Sequence, residues 1–343
     1  MPSSIFNFDA LRRYAALPRD ERRWHAQIAG VLAFVAIVCS QVPRMLYPSS
    51  GCTSPTLGSA AVASLSDRTE VLFLGSSHFL FGIRPQQYSV PSMNLAATWL
   101  DYTCMRRVLD KNLARVPNLK VAVVEYDELP LVSNLVPSML STNDFRPLTE
   151  LSLTPSEFPT DNLVERLDTL WTWFAYPVTS LPRVTPLAWA ERDRGCGQLY
   201  RPARGFAPGY FYTEAVTPPS FDASVVFRAL VKCARKEDVV RRNLHDLEQI
   251  VSELGQRGVT VVLLRLPHDR SYEAQRPASV TARWRELQAW TRAEPAAIVL
   301  DWCDRAEFGP TDFCDIHHLN VFGANKLARL LDAQLRALRG SRR

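Results

Sequence analysis

The chain has 343 residues, of which 47% are hydrophobic and 22% charged, and a formal net charge of +5 at pH 7. Those fractions are globular averages and exclude both a disordered chain and a polytopic membrane protein. The small basic excess sits largely near the ends, at Arg12, Arg13, Arg22, Arg23, Arg342 and Arg343, and no basic run interleaved with aromatics occurs mid-chain, so no nucleic acid is expected as a partner.

Ile28 to Val38 is an unbroken apolar run, IAGVLAFVAIV. With its tolerant flanks it reaches ~17 residues, the lower limit for a membrane span. Arg12, Arg13, Arg19, Arg22 and Arg23 precede it and only Arg44 follows closely, an asymmetry that keeps the N-terminus in the cytoplasm. A cleaved signal peptide and a buried soluble helix are the competing readings. The expected layout is a cytoplasmic tail over 1–25, an anchor over 26–46, a Ser/Gly/Ala/Pro-rich spacer over 47–66 and a domain over 67–343. This describes a single-pass protein of the inner (cytoplasmic) membrane with its domain on the extracytoplasmic, periplasmic side.

Apart from Cys39 in the apolar run, six cysteines occur: Cys52, Cys104, Cys196, Cys233, Cys303 and Cys314. None forms a CxxC pair, so they read either as three disulfides in an oxidising compartment or as buried thiols. A Cys303–Cys314 bridge closing a short loop is the pairing expected among them.

Within the domain, Glu70 to Leu74 predicts a buried strand ended by Gly75, followed by a loop carrying Ser76, Ser77 and His78. A helix is expected over Thr98 to Val116, stopped by Pro117, then a strand over Leu119 to Val124. A second helix covers Asp238 to Leu254 with Gly255 past its end, and a strand covers Val259 to Leu264. Trp284 to Thr291 reads as helix, Ala297 to Leu300 as strand and Phe322 to Leu338 as a final amphipathic helix. Strands alternating with helices imply an α/β domain with a parallel sheet. Leu129 to Ser220 breaks that rhythm as an insertion dense in proline and aromatics, among them Trp171, Trp173, Phe174 and Tyr210. Those aromatics form either their own small core or a sugar-stacking lid.

Ser77 stands where a buried strand ends at a glycine turn, the carboxyl edge at which parallel sheets assemble their sites. A serine hydroxyl is a weak nucleophile unless an imidazole takes its proton and an acid orients that imidazole. Asp315 and His318, three residues apart just before the last helix, are the residue types required. Alone, each motif has a plainer reading, with Asp315 capping a turn and His318 on the surface.

Together, Val71 to His78 continuing to Gly82 and Pro85, and Asp315 to Asn320 with Gly323, resemble the first and last blocks of SGNH (GDSL-like) hydrolases. The resemblance implies a three-layer flavodoxin-like fold with Ser77 as nucleophile, His318 as base and Asp315 as orienting acid. It looks closest to the membrane-anchored branch associated with extracytoplasmic polysaccharide acylation. That implies a glycan or acylated polymer as substrate, and a membrane-bound O-acyltransferase as partner. Asn94 to Ala97 resembles the second block with Ala96 in place of the oxyanion glycine. The third block's asparagine is absent: Glu125, Tyr126, Asp127 and Glu128 follow the strand, and an ionised aspartate cannot donate to an oxyanion. The candidates for oxyanion contacts are therefore Ala96, Asp127 and, further on, Asn143.

Cys303, Cys314, His317, His318, Asp312 and Asp315 match no familiar zinc spacing, so neither metal nor cofactor is expected. His78 and His268 read as pocket-lining and turn residues. The resulting expectation is a serine esterase or O-acyltransferase working through an acyl-enzyme, against the alternative of a weak or inactive binding scaffold on the same fold.

Overall fold

The computed structural model describes residues 61–133 and 223–340, apart from 98 and 295, together with positions 18, 21, 24 and 27. Its sheet is built from β1 (Val71–Leu74), β2 (Ser92–Asn94), β3 (Val121–Glu125), β4 (Thr260–Arg265) and β5 (Ala297–Asp301). The spatial order is β2-β1-β3-β4-β5, and every neighbouring pair is parallel. This is the flavodoxin-like order of a doubly wound α/β sheet. The helices around it are α1 (Ser77–Gly82), α2 (Tyr102–Asn112), α3 (Glu128–Val132), α4 (Ala223–Ala234), α5 (Glu237–Gln256), α6 (Arg270–Gln275), α7 (Ala278–Ala293) and α8 (Val321–Gly340).

Because side chains alternate along a strand, the buried strands feed two separate cores. Leu72, Leu74, Ala122, Val124, Val261 and Leu263 pack with Met105 and Leu109 of α2, Leu247 and Ile250 of α5, and Trp284 and Leu287 of α7. Val71, Phe73, Val121, Val123, Val262 and Leu264 pack with Phe79 and Leu80 of α1 and with Leu327, Leu331 and Leu335 of α8. The result is three layers. β5 closes one edge and leaves Ile298 and Val299 exposed.

Local chemistry moves several boundaries from those expected. α2 starts at Tyr102 because Asp101 is its N-cap, its side chain accepting from Cys104 N at 2.8 Å and satisfying a first-turn donor. α5 runs through Gly255, and Gly258, at φ 74°, makes the left-handed turn after it, a conformation that costs glycine little. The elements not expected from the sequence are β2, only three residues long, and the helices α1, α3, α4 and α6. Leu129, Leu131 and Val132 of α3 are buried in the first core, while the rest of the stretch treated as an insertion, 134–220, lies outside the described residues.

The Cys303–Cys314 bridge is not formed: both are free thiols, as are Cys104 and Cys233. Their sulfurs are turned to different partners, Cys303 to Glu273 Oε1 at 3.4 Å and Cys314 to the His318 carbonyl at 3.3 Å. Cys52 and Cys196 lie outside the described residues. Among the described residues no helix is long and apolar enough to cross a membrane, and the span expected over 26–46 lies outside them except for position 27.

The loop between β5 and α8 is held by Asn320. Its amide donates to the carbonyls of Thr311 at 2.7 Å and Phe313 at 3.2 Å. Its Oδ1 accepts from the first-turn N–H groups of Phe322 at 2.9 Å and Gly323 at 3.0 Å. Gly323 packs against this loop so closely that a Cβ there would run into the Asp312 carbonyl oxygen and lie 2.8 Å from Leu319 Cδ2. Gly323→Ala should therefore lower stability by about 1–3 kcal/mol through overpacking. Urea unfolding of the pure proteins measures this, and an unchanged midpoint would show that the loop can move aside.

Candidate functional site

In the strand order, the chain leaves β1 toward β2 on one side, while β3 and β4 extend the sheet on the other. Ligand crevices in such sheets open beyond the carboxyl ends of the strands at that point of reversal. Ser76, Ser77 and His78 follow β1 there, Glu125 ends β3, and Asp127 and Glu128 come directly after it. Gly75 permits the approach of the two segments: a Cβ on it would lie 2.5 Å from Phe79 Cγ and 2.7 Å from Glu125 Oε2.

Glu125 is 1% exposed and receives three donors from the β1 turn. Ser76 N–H donates to its Oε2, Ser76 Oγ to Oε1 at 2.8 Å, and His78 Nδ1 lies 2.9 Å from Oε1. A buried carboxylate is tolerated when its lone pairs are filled in this way. This contact fixes both neighbours of Ser77 and leaves the Ser77 side chain, at the start of α1, facing the crevice.

Ser77 Oγ lies 2.9 Å from His318 Nε2, and His318 Nδ1 lies 2.8 Å from Asp315 Oδ2. Asp315 Oδ1 also accepts from the backbone N–H of His317 at 2.9 Å and of His318 at 2.7 Å. A carboxylate only accepts, so this network assigns the His318 proton to Nδ1 and aims the Nε2 lone pair at the serine. The loop is braced by an antiparallel bridge between Phe313 and Leu319, and the Ile316 carbonyl accepts from Asp269 N at 3.0 Å. Ser77, Asp315 and His318 are thus brought together, although 241 residues separate the serine from the histidine.

The electrostatics of the two partners differ. Burial disfavours the charge on Asp315, yet its bonds to His318 and the nearby rings outweigh that and hold it well below the ordinary carboxylate range. For His318 burial dominates and lowers its pKa below 6.5, while Asp315 pulls the other way. A histidine in this state is neutral near pH 7 and able to take a proton.

The oxyanion candidates fare differently. Ala96 donates its N–H to Asn94 Oδ1 at 3.0 Å, and Asn94 in turn donates to the Phe79 carbonyl at 2.9 Å, so this donor is taken up within the fold. Asp127 offers acceptors rather than donors, its Oδ2 standing 3.3 Å from His268 Nε2 and 3.6 Å from Arg265 Nε. Asn143 lies outside the described residues. The Ser77 N–H, in the first turn of α1, belongs to the donors that a helix cannot satisfy internally.

Four histidines crowd this end of the sheet, with the His78 ring centroid 5.2 Å from each of His268, His317 and His318. Burial opposes a charge on His78, but Glu125, aided by Asp127 and Asp315, pushes it up to about 9. Burial lowers His268 to about 4, with Arg265 acting in the same sense. Beneath them Arg265 lies 3% exposed, 2.6 Å from Glu273 and stacked 4.1 Å over the Trp284 ring. Glu128 is raised to about 7 by burial and by Asp127.

Glu125 and Arg265 were not singled out as site residues from the sequence. Each is a charged residue at the last position of a buried strand, which is the signal that could have found them.

No protein-family model and no curated protein matches the chain. Among solved structures it is similar to one described as "a putative arylesterase" from Agrobacterium tumefaciens, at 12% identity and a TM-score of 0.34, covering 79% of this chain and 99% of that one. A likeness that distant says nothing about activity.

Since burial lowers the His318 pKa, its ring should titrate below 6.5 by NMR and remain neutral as pH falls through 6.5. Asp315→Asn removes the group that favours the charged ring and should move the midpoint lower still. A midpoint above 6.5 in the wild-type chain would contradict this balance.

Proposed function

We propose that the chain is a serine hydrolase or acyl-transfer enzyme of the SGNH type, working through an acyl-enzyme on Ser77. The observation that carries this reading is the continuous hydrogen-bonded line from Ser77 Oγ through both nitrogens of His318 to Asp315. Such an arrangement turns a weak nucleophile into a competent one because the base is adjacent, neutral and held in one tautomer.

In the first half-reaction His318 Nε2 takes the Ser77 proton as Oγ bonds to the acyl carbonyl carbon. The carbonyl electron pair moves onto oxygen, where the Ser77 N–H, a first-turn donor that the helix does not satisfy, would meet it. Collapse expels the alcohol, which leaves with the proton from His318, and the acyl group stays on Ser77. In the second, water or a sugar hydroxyl gives its proton to His318 and attacks the ester, and collapse returns the proton to Ser77. Asp315 stays ionised throughout and steadies the imidazolium. Hydrolysis and transfer differ only in which hydroxyl arrives at the acyl-enzyme.

The substrate proposed is an acylated extracytoplasmic glycan, with a membrane-bound O-acyltransferase as the partner that works on the same polymer. The charge asymmetry around Ile28 to Val38 and the two sequence blocks that resemble the membrane-anchored branch support this part of the reading. A second reading, a binding scaffold with little or no turnover, draws on a specific observation: the Ala96 N–H already has an acceptor and Asp127 can only accept. Loss of one oxyanion donor typically lowers kcat by about 10²–10³-fold.

Exposure of the full-length chain to a fluorophosphonate, followed by intact-mass measurement, separates the two. The expected result is one covalent adduct on the wild type, none on Ser77→Ala, and none above background on His318→Ala. Asp315→Asn should slow labelling by about 10³–10⁴-fold. A folded wild type that takes up no adduct would favour the scaffold.

A further inference from the structure

Beside the triad, a second set of buried groups converges, several of whose polar atoms make no hydrogen bond. His78 Nε2, Asp127 Oδ2 and both ring nitrogens of His268 have no hydrogen-bond partner among the described residues. The three residues are 2%, 1% and 4% exposed. Buried polar atoms normally make hydrogen bonds, so four that make none, with a looser ion-pair contact of Asp127 Oδ2 to Arg265 Nε at 3.6 Å, point to something that these side chains together would hold.

Their spacing indicates what that is. One ligand atom from each of His78, Asp127 and His268 lies within 4.8 Å of the others. His268 Nε2 and Asp127 Oδ2 are 3.3 Å apart yet not aligned as a hydrogen bond. Two ligands each about 2.0–2.2 Å from a tetrahedral zinc ion stand about 3.3–3.6 Å apart, so the separation of this pair is at the short end of what a shared ion imposes.

The surroundings fit as well. A histidine bound to a metal through one nitrogen usually donates from the other to a carboxylate, which fixes the ring and raises its basicity. Glu125 stands 2.9 Å from His78 Nδ1 and leaves Nε2 free; Glu273 stands 3.8 Å from His268 Nδ1. A grouping of His78 with His317 and His318 is geometrically possible too. It would detach His318 from Ser77 or Asp315, both of which it now contacts.

We propose that His78 Nε2, His268 Nε2 and Asp127 Oδ2 bind a divalent transition-metal ion of the zinc type, in a three-ligand site with an open fourth position beside the nucleophile. Nitrogen and carboxylate donors in this number suit zinc, and three protein ligands plus a free position are typical of sites that engage water or substrate. Binding displaces the proton from His78, so uptake strengthens as pH rises. The site stands independently of the acyl-enzyme reading.

The test uses the full-length chain in detergent, stripped with a chelator, incubated with zinc and dialysed. Elemental analysis should find one zinc per wild-type chain. Cobalt(II) substituted for it should give the intense visible bands of a tetrahedral ion with nitrogen ligands. His268→Ala and Asp127→Ala should lose the ion, and Glu125→Gln should weaken it by about 10–100-fold. His318→Ala should keep it while losing fluorophosphonate labelling, so the two readings can fail separately. A wild-type chain that retains neither zinc nor cobalt overturns the proposal without requiring any variant to fold. Zinc retained equally by His268→Ala and Asp127→Ala, or lost with His318→Ala alone, overturns it too.

Discussion

The Glu125 carboxylate, buried at the end of β3, is the constraint on which the rest of the site depends. Breaking a buried charge network by removing one partner typically costs about 3–5 kcal/mol, and Glu125 accepts from Ser76 N–H, Ser76 Oγ and His78 Nδ1. Those three bonds tie the turn after β1 to the end of β3. The strands themselves are locked in register by Leu74 opposite Val124. With the residues on both sides of Ser77 immobilised, the serine has little freedom except in its own rotamer. The missing side chain at Gly75 is what lets the carboxylate come so near.

The opposite half of the triad is positioned by a different device. Asp315 and His318 sit on a loop with no strand of its own, so its rigidity comes from side-chain bonds to backbone. Asn320 links Thr311 and Phe313 to the first turn of α8, and Asp315 accepts two N–H groups from its own loop while it orients the imidazole. α8 in turn lies against the core made by Val71, Phe73, Val262 and Leu264. Packing of a helix on one face of the sheet therefore carries His318 to the serine at the end of β1. Precision of this kind matters because proton transfer is effective only within hydrogen-bond reach.

Charge is distributed unevenly across the crevice. On the triad side His318 is kept neutral by burial, whereas His78, only 5.2 Å away between ring centroids, is pushed toward the charged form by Glu125. Like rings in one pocket acquire opposite tendencies because each faces a different balance of desolvation and neighbouring carboxylates. Further in, Arg265 bridges Asp127, Glu128 and Glu273, and its stacking on Trp284 anchors that network to α7.

The sequence by itself determined the layered α/β plan, because continuous apolar strands and amphipathic helices have periods that solvent exclusion enforces. It also pointed to Ser77 after a glycine-ended strand and to Asp315 and His318 before a final helix, which the fold brings within hydrogen-bond distance of one another. Short elements such as β2 and α6 escaped, since three to six residues hold too little periodicity to stand out. Tertiary structure alone decided what meets in the crevice. Whether Cys303 faced Cys314 or Glu273 and whether Asp127 and His268 would lie 3.3 Å apart depend on how separate segments come together. Spacing along the chain holds no record of such contacts, because the fold joins residues as distant as Ser77 and His318, 241 positions apart.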